Sequence, residues 1–317
     1  MTTEDDRTGA ADIKAIPVRH PGRWVAAAVV AVLVAMLINS FVTNPQWDWS
    51  TIGHYLFAGL ILHGARVTLE LTAIAMLVGI VGGILLAVMR LSANPVLSAA
   101  SSFYIWFFRG TPVLVQIVIW YNLAFLFPHI SIGIPFGPEF VTFNTNSLIS
   151  KFTAAVLGLG LNEAAYMAEI VRAGILSVDE GQSEAASALG MRRVLVLRRI
   201  VLPQAMRVII PPTGNETISM LKTTSVVIYI ALTDLFTAAQ DVANVNFRPI
   251  PLFLVACIWY LAMTSVLTIG QGYLERHFGR GSSTRPPARG FERLWNAIRF
   301  GRPRLSGYED ALIGNAR

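Results

Sequence analysis

Long apolar runs separated by short polar segments form the dominant pattern of the chain. Six of these runs approach or exceed the roughly 20 residues that carry a helix across a bilayer. They lie at about 24–42, 66–89, 104–128, 151–176, 206–233 and 251–273. Backbone groups cannot stay unpaired in lipid, and barrel strands would alternate in short segments, so unbroken runs predict helices. We therefore predict an all-α polytopic membrane protein with about six transmembrane helices.

Composition agrees with this prediction and argues against several other classes of protein. Of the 317 residues, 54% are hydrophobic and 14% are charged, whereas soluble domains carry about 25% charged residues. The net charge is +6, but no soluble basic domain is present, so we expect arginine-rich cytoplasmic loops and no nucleic-acid partner. The single cysteine, Cys257, lies in an apolar run, which leaves no intramolecular disulfide and no thiolate metal cluster.

The distribution of arginine predicts the orientation in the membrane. Loops 43–60 and 129–150 contain neither Lys nor Arg. The loop after the fourth run contains Arg192, Arg193, Arg198 and Arg199. Positive-inside asymmetry places that loop and both termini in the cytoplasm, and six spans satisfy this parity.

The two ends of the chain lie outside the predicted helical core. We assign 1–23 to a cytoplasmic tail and 24–42 to an extra transmembrane helix, retained because no small-residue cleavage site follows it. Segment 276–317 is an Arg-rich cytoplasmic tail, whose charge favours anionic lipid.

Small residues recur every four positions in two of the predicted spans. They are Ala75, Gly79, Gly83 and Ala87 in the second span, and Gly160, Ala164 and Ala168 in the fourth. Such stripes allow helix backbones to approach closely in lipid. We expect them to pack helices within the chain, and a subunit interface is the alternative.

The segment "GQSEAASALGMRRVLVLRRIVLPQA", residues 181–205, lies between two spans and has little side-chain bulk at its start. Ser183 or Ser187 is the expected helix cap, with Glu184 in the first turn. A helix this smooth fits a groove on another protein, where its acid meets a basic or amide group. Pro203 is expected to break the helix that follows.

Charged residues within the apolar runs need partners or a function, because a charge at the bilayer centre costs about 2.5–3.5 kcal/mol on insertion scales. We expect Arg66 to pair with Glu70, and Glu169 to pair with Arg172 or, alternatively, with Arg109.

Four polar residues remain as a candidate substrate path: Glu163, Asn215, Glu216 and Lys222. Pro211 and Pro212 loosen the helix that carries three of them, and freed backbone groups with carboxylates line wet paths in transporters. An amino-acid zwitterion needs both an anionic and a cationic partner, and this set contains both. A polar clamp between helices is the alternative.

The order of residues in 181–205 resembles the "EAA" coupling segment of binding-protein-dependent ABC importer permeases. That pattern is Glu-Ala-Ala, three residues, Gly and a later Leu-Pro, and here it is Glu184-Ala185-Ala186, Gly190 and Leu202-Pro203. Three more segments resemble the polar amino acid branch: "FFRGTPVLVQ" at 107–116, 164–191, and "PPTGNETISMLKTTS" at 211–225. The branch often has Asp where this chain has Thr223.

The resemblance implies a type I importer fold, with a five-helix permease domain at about 62–275 and the extra N-terminal helix as a variant. It implies a bacterial inner-membrane protein whose pore is formed with a second permease subunit, as a homodimer or a heterodimer. A cytoplasmic ATPase dimer docks on the coupling helix, and an extracytoplasmic binding protein delivers a polar amino acid. The residues that it implies for ATPase coupling are Gly181, Glu184, Ala185, Ala186 and Gly190.

We expect no catalytic residue, cofactor or metal in the chain itself, with ATP bound by the partner. The segment "GNETISMLKTT" lacks the second Gly of a P-loop, and no HExxH spacing is present. An ion-gradient-driven secondary transporter is the main alternative, although its usual repeats are not seen. A membrane enzyme and a receptor or structural protein are further alternatives without a motif in their favour.

Overall fold

The computed structural model describes residues 21–134 and 137–278, and helices account for most of them. The helices are α1 (Pro21–Thr43), α2 (Trp49–Tyr55), α3 (Gly59–Arg90), α4 (Pro95–Gly110), α5 (Val113–Tyr121), α6 (Leu123–Leu126), α7 (Thr145–Leu148), α8 (Lys151–Leu176), α9 (Glu180–Ala188), α10 (Arg193–Val196), α11 (Leu202–Thr223), α12 (Leu235–Asn246) and α13 (Pro249–Phe278). Short 3-10 helices cover Pro45–Trp47 and Thr224–Ile230, and a π-helical turn covers Leu197–Val201.

Four single helices are long and apolar enough to cross a membrane: Trp24–Thr43, Gly59–Arg90, Lys151–Leu176 and Pro249–Phe278. Two bent pairs raise the number to six, since α4 with α5 and Arg193–Ile230 with α12 each qualify as one broken span. The all-α class and the prediction of about six spans are therefore confirmed. The predicted tails at 1–23 and 276–317 fall mostly outside the described residues.

The third span is not the single helix predicted at 104–128. It consists of α4 and α5, which meet at an angle of 100°. Thr111 has an extended backbone, with φ −117° and ψ 143°, which is the conformation that a residue before proline prefers. Gln116 Nε2 donates hydrogen bonds to the Phe108 and Thr111 carbonyl oxygens at 3.1 and 3.2 Å. These bonds satisfy backbone groups that the break leaves without helical partners.

The fifth span also differs from its predicted bounds and from the predicted break at Pro203. The helix α11 begins at Leu202 and the 3-10 turn that extends it ends at Ile230, whereas 206–233 was predicted. Pro203 lies in the first turn of α11, directly after the π-helical turn. Proline lacks a backbone N–H and its ring crowds the preceding turn. The wider π-helical turn relieves this crowding, so the helix continues through the site.

A two-stranded antiparallel hairpin that the sequence did not predict lies in the loop 129–150. Its strands are β1 (His129–Gly133) and β2 (Glu139–Asn144), with an irregularity between Ile132 and Gly133. Ile130 is opposite Phe143, and Ile132 is opposite Val141. Because side chains alternate along a strand, these four apolar residues share one face of the hairpin.

Helices α3 and α8 pack closely through their small residues, which confirms the prediction from the two stripes. Ala75 and Ala87 are fully buried. A Cβ atom on Gly83 would lie 2.4 Å from the Met167 Cβ, and one on Gly160 would lie 2.8 Å from the Val78 Cγ1. Only hydrogen at these positions allows the two backbones to approach this closely.

The helix α1 lies outside this core, and its side chains from Trp24 to Ser40 are exposed. Trp49 Nε1 donates to the Phe41 carbonyl oxygen at 3.0 Å, and the Phe41 and Trp47 rings stack with centroids 4.2 Å apart.

Asp48 accepts hydrogen bonds from the Ser50 and Thr51 hydroxyls and forms an ion pair with Arg248. Hydrogen bonds from Ser50 and Thr51, together with the positive charge of Arg248, lower the pKa of the Asp48 carboxyl to about 2.

Candidate functional site

A cavity of about 320 Å³ lies between α5, α8 and α11. Its polar lining consists of carboxylate, amide and hydroxyl groups set among apolar side chains. The lining residues are Val113, Leu159, Asn162, Glu163, Tyr166, Glu216, Ser219, Met220 and Thr223. Two of the four residues predicted for the substrate path, Glu163 and Glu216, are therefore brought together.

Glu163 lies near the middle of α8 and its residue is 4% exposed. Among the described residues, its Oε1 atom is buried and has no hydrogen-bond partner. Gly79 of α3 makes the space for this side chain, because a Cβ atom on Gly79 would lie 2.4 Å from the Glu163 Cγ. A buried polar atom without a partner is costly, and a ligand group in the cavity would offset that cost.

Glu216 reaches the same cavity from α11, where it is half-buried. The carboxyl groups of Glu216 and Glu163 therefore line one space, from two different helices. Pro211 and Pro212 lie in the turn before Glu216 and remove two backbone donors from the helix. The Thr213 hydroxyl donates to the Ile209 carbonyl oxygen, and Gln271 Nε2 donates to the Pro211 carbonyl oxygen.

Asn215 and Lys222, the other two predicted residues, do not line the cavity. The Asn215 Oδ1 atom accepts a hydrogen bond from Gln271 Nε2 at 2.9 Å, at the contact between α11 and α13. Lys222 is exposed in the last turn of α11. Successive helical residues diverge by about 100°, so the neighbours that share the face of Glu216 are three and seven positions on, at Ser219 and Thr223.

Arg109, which was predicted only as an alternative ion-pair partner, lies beside this cavity. Its Cζ atom is 5.1 Å from the centroid of the Tyr166 ring, in a cation–π arrangement. The predicted pair of Glu169 with Arg172 is confirmed, at 2.8 Å. The predicted pair of Arg66 with Glu70 is confirmed at 2.7 Å.

Hydrogen bonds connect the break between α4 and α5 to α8 next to Glu163. Asn162 Nδ2 donates to the Phe108 carbonyl oxygen at 2.9 Å and to Gln116 Oε1 at 3.3 Å. The Tyr104 hydroxyl donates to the Leu161 carbonyl oxygen at 2.9 Å. These bonds hold the backbone that precedes Arg109 at a defined position relative to the cavity.

The second candidate region is α9 with the turn that follows it. Asp179 is the cap, since its Oδ1 accepts from the Gly181 backbone N–H at 2.8 Å, and Glu180 lies in the first turn. The prediction of a Ser183 or Ser187 cap was wrong, because both serines lie within the helix and Ser187 donates back to the Ser183 carbonyl oxygen. Short polar side chains compete for such backbone bonds along the whole segment, and composition alone does not rank them.

The predicted coupling residues divide between two faces of α9. Ala186 is 5% exposed and packs against Val196 and Val201, whereas Gly181, Glu184 and Ala185 are exposed. Gly190 has φ +78°, a left-handed conformation that glycine adopts readily at the end of a helix. The exposed face therefore has little side-chain bulk apart from the acids Glu180 and Glu184, while the opposite face holds α9 against the following turns.

The same turns carry exposed groups of two kinds. Leu189 and Val194 are 83% and 77% exposed, respectively. The four arginines of this segment, Arg192, Arg193, Arg198 and Arg199, are exposed as well.

Among the described residues, no group of three or more His, Cys, Asp or Glu side chains is arranged to hold a metal ion.

Comparison with known proteins gives concordant matches. The chain is 50% identical over 90% of its length to the arginine transport system permease protein ArgU of Corynebacterium glutamicum, covering 89% of that protein. It is 40% identical over 70% of its length to the octopine transport system permease protein OccM of Rhizobium meliloti, covering 85% of it.

Solved structures agree with these relatives. A structure described as an amino acid ABC transporter with histidines matches 69% of the chain and 94% of its own chain, with a TM-score of 0.59 and 35% identity. An inward-facing structure of the MetNI methionine ABC transporter matches 69% of the chain and 96% of its own chain, with a TM-score of 0.54 and 17% identity, which supports the fold alone.

A family profile completes the comparison, because it matches residues 79–280, which contain the cavity lining and α9. This match covers more than half of the chain. The chain therefore belongs to the family described as the binding-protein-dependent transport system inner membrane component.

Proposed function

We propose that this chain is the membrane permease subunit of an ATP-driven amino acid importer, and that its cavity carries a cationic amino acid of the arginine type. The observation that supports the substrate class is the lining itself, which contains two carboxylates and neither Lys nor Arg. A relative with 50% identity is named for arginine transport. An ion-gradient-driven mechanism is disfavoured, because the family operates with a binding protein.

Charge complementarity favours a cationic substrate over a neutral one. Arginine carries an ammonium group and a guanidinium group, each of which can meet one carboxylate of Glu163 and Glu216. A guanidinium binds a carboxylate through two parallel hydrogen bonds, and such charge-assisted bonds are stronger than neutral ones. Ser219, Thr223 and Asn162 supply neutral donors and acceptors around the same space.

ATP hydrolysis is assigned to a separate cytoplasmic ATPase pair that docks on α9. The exposed face with Gly181, Glu184 and Ala185 offers this contact, and exposed Leu189 adds apolar surface beside it. Ala186 anchors α9 to the turns that lead into α11. The helical stretch Arg193–Ile230 is continuous from these turns to Glu216, so movement of α9 is transmitted to the cavity as a two-state change of the assembly.

We further propose a second permease subunit, the same chain or a related one, to complete the pore. A solute-binding protein delivers the amino acid on the extracytoplasmic side. Loops 43–60 and 129–150 lie on that side, whereas both termini, α9 and its four arginines lie in the cytoplasm of a bacterium, following the positive-inside asymmetry.

Reconstitution into proteoliposomes tests the proposal. The chain is co-purified with its ATPase, the cognate binding protein is added outside, and uptake of labelled arginine, glutamine and glutamate is measured with and without ATP inside. We expect ATP-dependent arginine uptake that vanadate abolishes and ionophores leave intact. Uptake driven by an ion gradient without ATP would contradict the proposal, and equal uptake of glutamine would contradict the cationic substrate class.

A further inference from the structure

The cavity contains no positive side chain for the carboxylate of an amino acid. Its lining offers two carboxylates, one amide, and the hydroxyls of Tyr166, Ser219 and Thr223. A carboxylate transferred from water into a largely apolar space requires a charged or multiple hydrogen-bonding partner. A substrate carboxylate in this cavity would also lie close to the negative charges of Glu163 and Glu216, which makes a cation more necessary.

Arg109 is the cation that the fold places beside the cavity. Its guanidinium is 5.1 Å from the ring centroid of Tyr166, which lines the cavity together with Glu163 and Glu216. The ion pairs among residues 21–134 and 137–278 do not include Arg109. The guanidinium therefore carries no carboxylate ion pair in that part of the chain, and it lies over the ring of Tyr166, a residue of the cavity lining.

The backbone at Arg109 is fixed, whereas its side chain is exposed and has room to move. The Phe108 carbonyl oxygen accepts hydrogen bonds from Asn162 and Gln116, which bind the break between α4 and α5 to α8. Asn162 and Val113 themselves line the cavity. The backbone of Arg109 therefore lies between Phe108, which is bonded to the cavity wall, and Val113, which is part of it. The long side chain can turn from the Tyr166 ring toward the cavity without a change in the backbone.

Lys222, the cation proposed from the sequence, is placed less favourably. It is exposed and lies six residues after Glu216, on a different face of α11 from Ser219 and Thr223. Lysine also offers a point charge, whereas the planar fork of arginine matches both oxygens of a carboxylate.

We propose that Arg109 binds the α-carboxylate of the transported amino acid, while Glu163 and Glu216 bind its positive groups. The assignment rests on the proposed function of the cavity. With all three side chains ionised, their charges sum to −1, which a cationic amino acid of net charge +1 neutralises. A neutral amino acid would leave one negative charge uncompensated, so Arg109 and the two carboxylates together favour a cationic substrate over a neutral one.

Ligand pairs that differ only in the carboxylate test this assignment. The permease–ATPase complex is placed in nanodiscs without the binding protein, so that only the permease selects, and binding of labelled arginine is competed with arginine or with agmatine, which lacks the carboxylate. We expect the complex to prefer arginine over agmatine by about 10-fold or more, because a charge-assisted bond is worth about 1.5–3 kcal/mol. In Arg109→Gln the preference should fall to about one or below, through weaker arginine binding and equal or tighter agmatine binding, because agmatine is a dication and the substitution removes a like charge.

One further variant and one control keep the result unambiguous. Arg109→Lys retains the positive charge but not the planar guanidinium, so its preference for arginine should lie between those of the unmodified chain and of Arg109→Gln. If Arg109→Gln does not assemble, Arg109→Lys serves as the test variant. Arg90→Gln removes an arginine from the end of α3, outside the cavity lining, and should keep the full preference.

Three outcomes would overturn the assignment. An equal loss of arginine and agmatine binding in Arg109→Gln would indicate a structural role, and an unchanged preference in both Arg109 variants would exclude contact with the carboxylate. A preference that is lost in Lys222→Gln but kept in Arg109→Gln would assign the carboxylate to Lys222. Absence of arginine binding to the unmodified complex, by contrast, would contradict the proposed function of the cavity itself, and would be seen before any variant is compared.

Discussion

The cavity is assembled from three helices between Val113 and Thr223, whereas α9 is built from nine consecutive residues. In the cavity, Glu163 is buried, and the space for its side chain depends on the packing of α3 on α8. In α9, the exposed face is defined by local helix geometry and one buried alanine. The comparison indicates that the proposed ATPase contact is encoded locally, whereas the proposed binding site depends on contacts between residues distant in sequence.

This difference predicts that the two regions can be damaged separately. Ala185→Trp places a large side chain on the exposed face of α9 and should reduce ATP-dependent uptake by at least about 30-fold, because the disruption of one central interface contact costs about 2 kcal/mol or more. Arginine binding to the cavity in nanodiscs should remain unchanged. Uptake at the unmodified rate would show that this face does not contact the ATPase.

Substitution of a carboxylate in the cavity should weaken arginine binding and leave the ATPase contact intact. Glu163→Gln keeps the size of the side chain but removes its charge, and arginine affinity should fall about 10-fold because a charge-assisted hydrogen bond becomes a neutral one. Co-purification of the ATPase should not change. Glu70→Gln is the matched control, since Glu70 pairs with Arg66 and does not line the cavity.

Unchanged arginine affinity in Glu163→Gln, together with lower thermal stability, would instead support the polar clamp that the sequence left open. Glu216→Gln distinguishes the two carboxylates. Loss of binding in only one of these variants would restrict substrate contact to that residue.

A single added methyl group tests whether the cavity depends on the packing of α3 on α8. Gly79→Ala should lower the free energy of unfolding by about 1 kcal/mol, at the lower end for overpacking, because the Cβ meets the Glu163 side chain, which can partly shift. We expect a lower midpoint of thermal unfolding and weaker arginine binding. Gly270→Ala is the control, because a Cβ there meets nothing within 4 Å, and equal stability of the two variants would contradict the packing argument.

Sequence patterns predicted those parts of the molecule whose causes are local. Apolar runs predicted the spans, four-residue spacing of small residues predicted close helix packing within the chain, and residue order identified the segment that forms α9. The 100° break between α4 and α5 was missed, although Gly110 and Pro112 flank an extended Thr111. The apolar run around these residues concealed this local signal.

Other features could not be predicted because they arise only in the folded chain. Arg109 and Tyr166 are far apart in sequence, and no periodicity relates them before α4 packs on α8. By contrast, helical phase alone predicts that Glu216, Ser219 and Thr223 share one face of the helix. The same argument places Lys222 on a different face, away from the cavity. The Asp179 cap shows a further limit, since several short polar side chains near α9 compete for the same backbone donors.

The smallest expected effect lies at the attachment of α1 to the rest of the chain. Hydrogen bonds from Ser50 and Thr51, with the charge of Arg248, lower the pKa of Asp48 to about 2, below its ordinary value of 3.8. A carboxyl group whose pKa is lowered by folding stabilises the folded state at pH above about 4, and that contribution is lost as the pH falls toward 2. Asp48→Asn removes it at every pH, so the thermal stabilities of the variant and the unmodified chain should converge as the pH is lowered from 5 to 3. Because Asp48 lies next to solvent, high salt should weaken the Arg248 contribution. A difference that stays constant across this pH range would show that the hydrogen bonds of the loop, and not the charge of Asp48, hold α1 in place.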